Sequence, residues 1–171
     1  LSITKAYIEK MGGRIWLDSV QGRGSSFHIS FPCRKCDDKK SSEQKVMSKL
    51  KDLCILIVED EEMNYYYLSE ILKNKAKDIF YARDGYSAVE QCRNNPSIGM
   101  VLMDIKLPGM NGLEATMEIK KLRPDLPVIA QTAYTLVGDR EKALSAGCND
   151  YISKPINREK LYSIIENNIK E

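Results

Sequence analysis

Two acids stand side by side at Glu59 and Asp60, directly after the apolar run Cys54 to Val58. A third, Asp104, follows the run Met100 to Met103. Thr132 comes after Gln131 at the end of the run Val128 to Ala130, and Lys154 comes shortly after Tyr151 and Ile152. Three carboxylates brought together repel one another, and a cation relieves that cost. Oxygen donors suit a hard divalent ion. Mg²⁺ typically takes one or two carboxylates with carbonyls and waters, and leaves room for a phosphate oxygen. With Mg²⁺ in place, one carboxylate would be oriented as a nucleophile and charge drawn from an incoming phosphoryl group. Lys154 and Thr132 would hold the remaining phosphoryl oxygens. The expected product is an aspartyl phosphate.

That chemistry needs the five positions to converge, and the chain pattern supplies a way. Between residues 51 and 171, short apolar runs (Cys54 to Val58, Ile79 to Ala82, Met100 to Met103, Val128 to Ala130, Tyr151 to Ile152) alternate with helix-period segments. The helices are marked by Tyr65, Leu68 and Leu72; by Ala88, Val89 and Cys92; by Ala115, Ile119 and Leu122; by Ala143 and Leu144; and by Leu161, Ile164, Ile165 and Ile169. Five strands alternating with five helices predict a parallel sheet covered on both faces. The length suits one flavodoxin-like, doubly wound α/β domain with strand order 2-1-3-4-5. All strands of such a sheet point the same way, so residues just past their carboxyl ends gather along one edge.

The remainder of the chain is smaller. Residues 1–32 predict a helix from Ser2 to Met11, stopped by Gly12-Gly13. Strands from Arg14 to Asp18 and Ser26 to Phe31 follow, turning at Gly22-Arg23-Gly24-Ser25. A helix and a hairpin cannot bury a core alone. Residues 33–50 are polar and charge-rich and read as a linker.

Composition excludes several classes. Lys and Arg number 26 against 24 Asp and Glu, a net charge of +2, too balanced for a nucleic-acid surface. No apolar run approaches the ~20 residues of a membrane helix, so no membrane contact is expected of this segment. The chain opens inside a helical pattern, as if cut from something longer, and a membrane anchor could lie in that parent. Five scattered Cys do not make a disulfide framework. Cys33 and Cys36 form a lone CxxC with no second ligand pair for zinc. His28, the single His, lies in a hairpin strand and reads as structural.

The stretches Ile57-Val58-Glu59-Asp60, Met103-Asp104-Ile105-Lys106-Leu107-Pro108-Gly109-Met110-Asn111-Gly112, Gln131-Thr132-Ala133 and Tyr151-Ile152-Ser153-Lys154-Pro155 resemble the response-regulator receiver family, in order and in spacing. The run Thr132-Ala133-Tyr134, then Gly138-Asp139-Arg140, then Ala146-Gly147-Cys148-Asn149-Asp150-Tyr151, looks most like receivers of hybrid sensor histidine kinases. Leu1-Ser2-Ile3, Gly12-Gly13 and Gly22-Arg23-Gly24-Ser25-Ser26-Phe27 resemble the last helix and hairpin of histidine-kinase ATPase domains.

The resemblance implies a two-component phosphorelay. Asp104 matches the phosphoacceptor, Asp60 the direct Mg²⁺ ligand and Glu59 the acid that holds a metal-bound water. The backbone carbonyl of Lys106 matches the third protein ligand. Thr132 and Lys154 match the phosphate contacts, Thr132 and Tyr151 the switch pair, and the Lys154-Pro155 bond is cis in the family. Lys106 and Tyr134, each two residues past a site residue, are expected to hang over the phosphoryl group and lengthen its lifetime. The implied partners are a phospho-His kinase domain, in the parent chain, and a His-containing phosphotransfer protein, in the cytoplasm. The segment lacks the kinase's glycine-rich box, its Mg·ATP box and its phosphorylatable His, so it is not expected to phosphorylate itself from ATP.

Two other classes compete. A haloacid-dehalogenase-type phosphatase also uses an Asp nucleophile, Mg²⁺ and a Lys, but its nucleophile lies on the first strand within D-x-D; here Glu59-Asp60 ends that strand. A flavodoxin-like nucleotide or flavin binder wants a Gly/Ser/Thr-rich phosphate loop where this chain has acids.

Overall fold

The structure is a computed structural model. It describes residues 5, 8–9, 12–20, 22, 24–32, 50–132 and 139–169. The chain divides into two compact units, Leu1–Lys39 and Lys40–Glu171.

In the first unit, β1 (Arg14–Val20) pairs antiparallel with β2 (Gly24–Ser30). Both strands run closer to the turn than the sequence suggests: Ser19 pairs with Ser25 and Val20 with Gly24. The Ser19 and Ser25 hydroxyls lie 2.8 Å apart, a cross-strand hydrogen bond that holds the ladder together where turn chemistry was expected. His28 stacks on Trp16, with ring centroids 5.2 Å apart, and its Nε2 lies 3.2 Å from Asp18 Oδ2. Among the described residues, both of these contacts lie within the hairpin.

In the second unit, β3 (Cys54–Val58), β4 (Asp78–Ala82), β5 (Ile98–Asp104), β6 (Val128–Thr132) and β7 (Asp150–Ser153) form one parallel sheet in the order β4-β3-β5-β6-β7. Numbered within the domain, that is the expected 2-1-3-4-5. Between and after the strands lie α1 (Glu62–Leu72), α2 (Gly85–Asn94), α3 (Gly112–Leu122), α4 (Asp139–Ser145) and α5 (Arg158–Asn168).

Side-chain alternation splits the core into two layers. Leu56, Val58, Val101, Met103, Val128 and Ala130 face Ala88 and Cys92 of α2, Ala115 and Ile119 of α3, and Ala143 of α4. Ile55, Ile57, Met100, Leu102, Ile129 and Ile152 face Leu68 and Leu72 of α1 and Leu161, Ile164 and Ile165 of α5. Each central strand is buried on both sides, which is why it reads as a continuous apolar run.

Leu50 is fully buried in the second of these layers, and its carbonyl accepts from Leu53 N–H at 3.0 Å. It therefore belongs to the domain core and not to a linker, although the sequence reading ended its linker there. Polar neighbours masked one apolar anchor. Residues 33–49 of the expected linker, including Cys33 and Cys36, lie outside the described residues.

Candidate functional site

The parity that builds the second layer also builds the site. Glu59 continues the Ile55, Ile57 row, Asp104 the Met100, Leu102 row, Gln131 follows Ile129, and Lys154 follows Ile152. All four therefore stand on one sheet face at its carboxyl edge. Lys154 N–H donates to the Thr132 carbonyl at 2.8 Å, extending the β6–β7 ladder to the lysine. The Lys154-Pro155 bond is cis. Tyr67 Oη donates to the Ile156 carbonyl at 2.9 Å, tying α1 to the segment that follows.

Loop geometry fixes Asp104. Its Oδ1 accepts the Lys106 N–H at 2.8 Å. Asn111 then caps α3, accepting from Leu113 and Glu114 N–H at 3.0 Å each, with Glu114 closing a capping box. Gly112 N–H donates to the Ile105 carbonyl at 3.0 Å, and a Cβ on Gly112 would lie 1.9 Å from the Asp104 carbonyl oxygen. Only glycine lets the helix start this close to the strand end.

The side chains converge as the spacing predicts. Glu59, Asp60 and Asp104 each offer a carboxylate oxygen, and all three lie within 4.8 Å of one another. Lys154 Nζ donates to Asp104 Oδ2 at 2.5 Å and to Glu59 Oε2 at 2.7 Å. Glu59 is 0% and Asp104 6% exposed, whereas Asp60 is exposed. Thr132 is buried one residue past Gln131, which is the strand partner of Asp104.

Burial pushes the Glu59 carboxyl above its usual range, and the neighbouring Asp104 adds to this. Hydrogen bonds from Lys154 and Asn64 offset it only in part. Burial works the other way on Lys154, but its hydrogen bonds to Asp104 and Glu59 win, so its ammonium is held more firmly than usual. One lysine among three carboxylates leaves the donor set short of positive charge. The donors are all oxygen, and Asp60 opens to solvent. That set fits a hard divalent cation.

Tyr151 is half-buried against the first core layer, with the Arg140 guanidinium and the Lys160 ammonium each 5.9 Å from its ring centroid. Lys106 is exposed beside Asp104. Tyr134 lies outside the described residues.

Sequence reasoning missed Asn64, whose Nδ2 donates to Glu59 Oε1 at 2.9 Å. The signal was its place in the first turn of α1, five residues past Glu59. It also passed over Gln131, which is wholly buried among the site residues. A lone amide inside an apolar run was the clue.

Residues 55–166 match the family model of the response regulator receiver domain. The chain belongs to that family. As a receiver, it is a module of two-component signalling. It is 32% identical over 167 residues to the autoinducer 2 sensor kinase/phosphatase LuxQ of Vibrio vulnificus, covering 95% of this chain and 19% of that protein. The chain thus spans about a fifth of the length of this curated relative. A solved structure of the receiver domain of sensor histidine kinase PA1611 from Pseudomonas aeruginosa, with a magnesium ion in its active site cleft, is 36% identical. It superposes with a TM-score of 0.62, covering 67% of this chain and 95% of that one. The co-crystal of the Saccharomyces cerevisiae histidine phosphotransfer protein Ypd1 with the receiver domain of Ssk1 also matches. There the identity is 31% and the TM-score 0.62, over 67% of this chain and 86% of that one. These receiver relatives give no support to a small-molecule phosphatase. Among the described residues, no helix is long and apolar enough to cross a membrane.

Proposed function

We propose that this receiver accepts a phosphoryl group from a phospho-histidine onto Asp104. The N–P bond of the donor breaks and a bond forms from phosphorus to an Asp104 carboxylate oxygen. The electron pair returns to the imidazole nitrogen, which takes up a proton. The observation that carries this reading is Lys154 spanning Asp104 and Glu59, with Asp60 alongside.

Asp104, Asp60 and the Lys106 carbonyl would ligate Mg²⁺, and Glu59 would hold one of its waters. The ion would offset the charge gathered between the carboxylates and the phosphoryl group. Lys106 N–H fixes the rotamer of Asp104, presenting one oxygen for attack. Lys154 and Thr132 bind phosphoryl oxygens, and Lys154 gives up part of its contact with Glu59 to do so. Thr132 and Tyr151 act as the switch pair: the hydroxyl moves toward the phosphoryl group and the ring fills the space it leaves, so that the α4–β7–α5 surface changes shape. Lys106 and Tyr134 shield the phosphoryl group from water and slow its hydrolysis.

The donor is the kinase core of the parent chain, and the next acceptor a His-containing phosphotransfer protein. The Ypd1–Ssk1 complex supports that pairing, and a donor that draws on ATP would work in the cytoplasm. Residues 1–32 are the last helix and hairpin of the kinase ATPase domain, residues 33–49 a linker, and the receiver follows. The match to LuxQ, which extends over nearly the whole chain, supports this order.

The test is incubation with acetyl phosphate and Mg²⁺, followed by intact mass. Wild type gains a labile phosphoryl adduct and Asp104→Asn does not. Wild type without an adduct would overturn the reading.

A further inference from the structure

Gln131 is 0% exposed, and among the described residues neither its Nε2 nor its Oε1 has a hydrogen-bond partner. A carboxamide carries two donors and an acceptor, and burying it unmatched costs stability that an apolar side chain of the same size would not. Native interiors satisfy nearly all such groups, so an exception calls for a cause.

Its place in the sheet supplies one. Gln131 is the strand partner of Asp104 on one side and of Ile152 on the other. It shares their sheet face, in the row that continues from Asp104 toward Glu59, one step beyond the apolar row of Ile57, Leu102 and Ile129, and Lys154 follows two residues past Ile152 on the same face. The next residue is Thr132. In the present arrangement the two charged neighbours are engaged with each other: Lys154 donates to Asp104 and to Glu59. Asp104 Oδ1 takes the Lys106 N–H. The Gln131 amide takes no part in this arrangement.

This inference rests on the phosphoacceptor reading of Asp104. We propose that Gln131 is a positioning residue of the switch: a buried carboxamide, unpartnered in the resting packing, that gains hydrogen bonds once Asp104 carries a phosphoryl group. Phosphorylation adds acceptor oxygens beside Gln131 and draws Lys154 from Glu59 toward them. Either change offers the amide a partner. A cost present in the resting state and absent from the activated one shifts the population toward the activated packing.

The experiment compares wild type with Gln131→Met and Gln131→Leu in the full chain, using beryllofluoride with Mg²⁺ as the phosphoryl mimic. Removing the stranded amide raises the resting Tm by roughly 3 °C or more. The same change weakens beryllofluoride binding about tenfold, which is about 1.4 kcal/mol. Affinity for Mg²⁺ alone stays within about twofold. The opposite signs matter, because a residue that merely packs would lose both stability and affinity. Unchanged beryllofluoride affinity, or a Tm that falls together with it, overturns the proposal and leaves the phosphoacceptor reading standing. Wild type that fails to bind beryllofluoride at all overturns the phosphoacceptor reading, and this inference with it.

Discussion

Lys154 Nζ lies 2.5 Å from Asp104 Oδ2 while the same ammonium reaches Glu59 Oε2 at 2.7 Å, so one cation bridges the carboxyl groups at the carboxyl ends of two different strands. Removing it leaves a fully buried Glu59 facing Asp104 with hydrogen bonds from Asn64 and the Lys106 N–H but without the lysine's counter-charge. Breaking a fully buried pair costs about 3–5 kcal/mol. Lys154 keeps 19% of its side-chain exposure, so Lys154→Met is expected to cost about 2–4 kcal/mol. A divalent cation replaces part of the lost charge, so Mg²⁺ should raise the Tm of the variant more than that of wild type. Equal Mg²⁺ shifts in thermal melts would mean that the lysine does not hold the carboxylates together.

The Glu59 carboxyl makes a pH-dependent contribution of definite sign. Burial raises its folded-state value above the unfolded one. A carboxyl raised in this way favours folding below its unfolded value, and loses that advantage as pH rises through the folded one. Glu59→Gln, which stays neutral, should therefore be more stable than wild type at pH 8. The difference should shrink to nothing as pH falls below the ordinary glutamate range, while Mg²⁺ affinity drops at every pH. Melts from pH 4 to 8 test this, and a stability gap that widens on acidification would contradict it.

The sheet and its strand order were legible because each strand is buried on both faces and each helix carries an apolar stripe. The convergence of Glu59, Asp60, Asp104 and Lys154 followed from one rule, that parallel strands end at a common edge. What could not be read is what depends on rotamer and register. Asn64 reaches Glu59 only because α1 starts at Glu62 and turns that amide inward. Leu50 looks like linker because its neighbours are polar, yet it is fully buried. Ser25 sits in a turn-like string but pairs with Ser19 through a hydroxyl contact that composition does not announce.

Gly112 carries a prediction that composition alone would not suggest. An added methyl meets the Asp104 carbonyl oxygen at 1.9 Å, and that oxygen is backbone and cannot swing away. Gly112→Ala must shift the start of α3 or the end of β5. Overpacking of this kind costs about 1–3 kcal/mol. Because the displaced backbone is that of Asp104, the proposed phosphoacceptor, the rate of acetyl-phosphate labelling should fall at least tenfold, even at a temperature where the variant is folded. Labelling at the wild-type rate would show that the close approach serves only packing.

The cysteines of the receiver give a simple check on the core. Burial pushes the Cys92 thiol up to about 11 and raises that of Cys148 as well. Only the thiolate alkylates, and both side chains, like that of Cys54, are buried. Iodoacetamide at pH 7.5 should leave all three intact in the native protein and modify all three in denaturant. Peptide mapping that finds Cys92 modified under native conditions would place it outside the layer between β3, β5 and α2.

Lifetime is the property that separates a relay from a brief switch. Lys106 is exposed two residues past Asp104, where its long side chain can pair with a phosphoryl group, and its backbone N–H already fixes the Asp104 rotamer. Tyr134 lies two residues past Thr132 in the sequence. The proposed shield has two halves, a charge and a ring. The double change Lys106→Asn with Tyr134→Ala should therefore speed loss of the phosphoryl group by about tenfold or more, roughly 1.4 kcal/mol off the barrier. Each single change should give a smaller effect. The measurement is the decay of the labelled mass after acetyl phosphate is removed. A decay rate in the double variant equal to or slower than that of wild type would remove both residues from the account of lifetime, while leaving Asp104 as the acceptor.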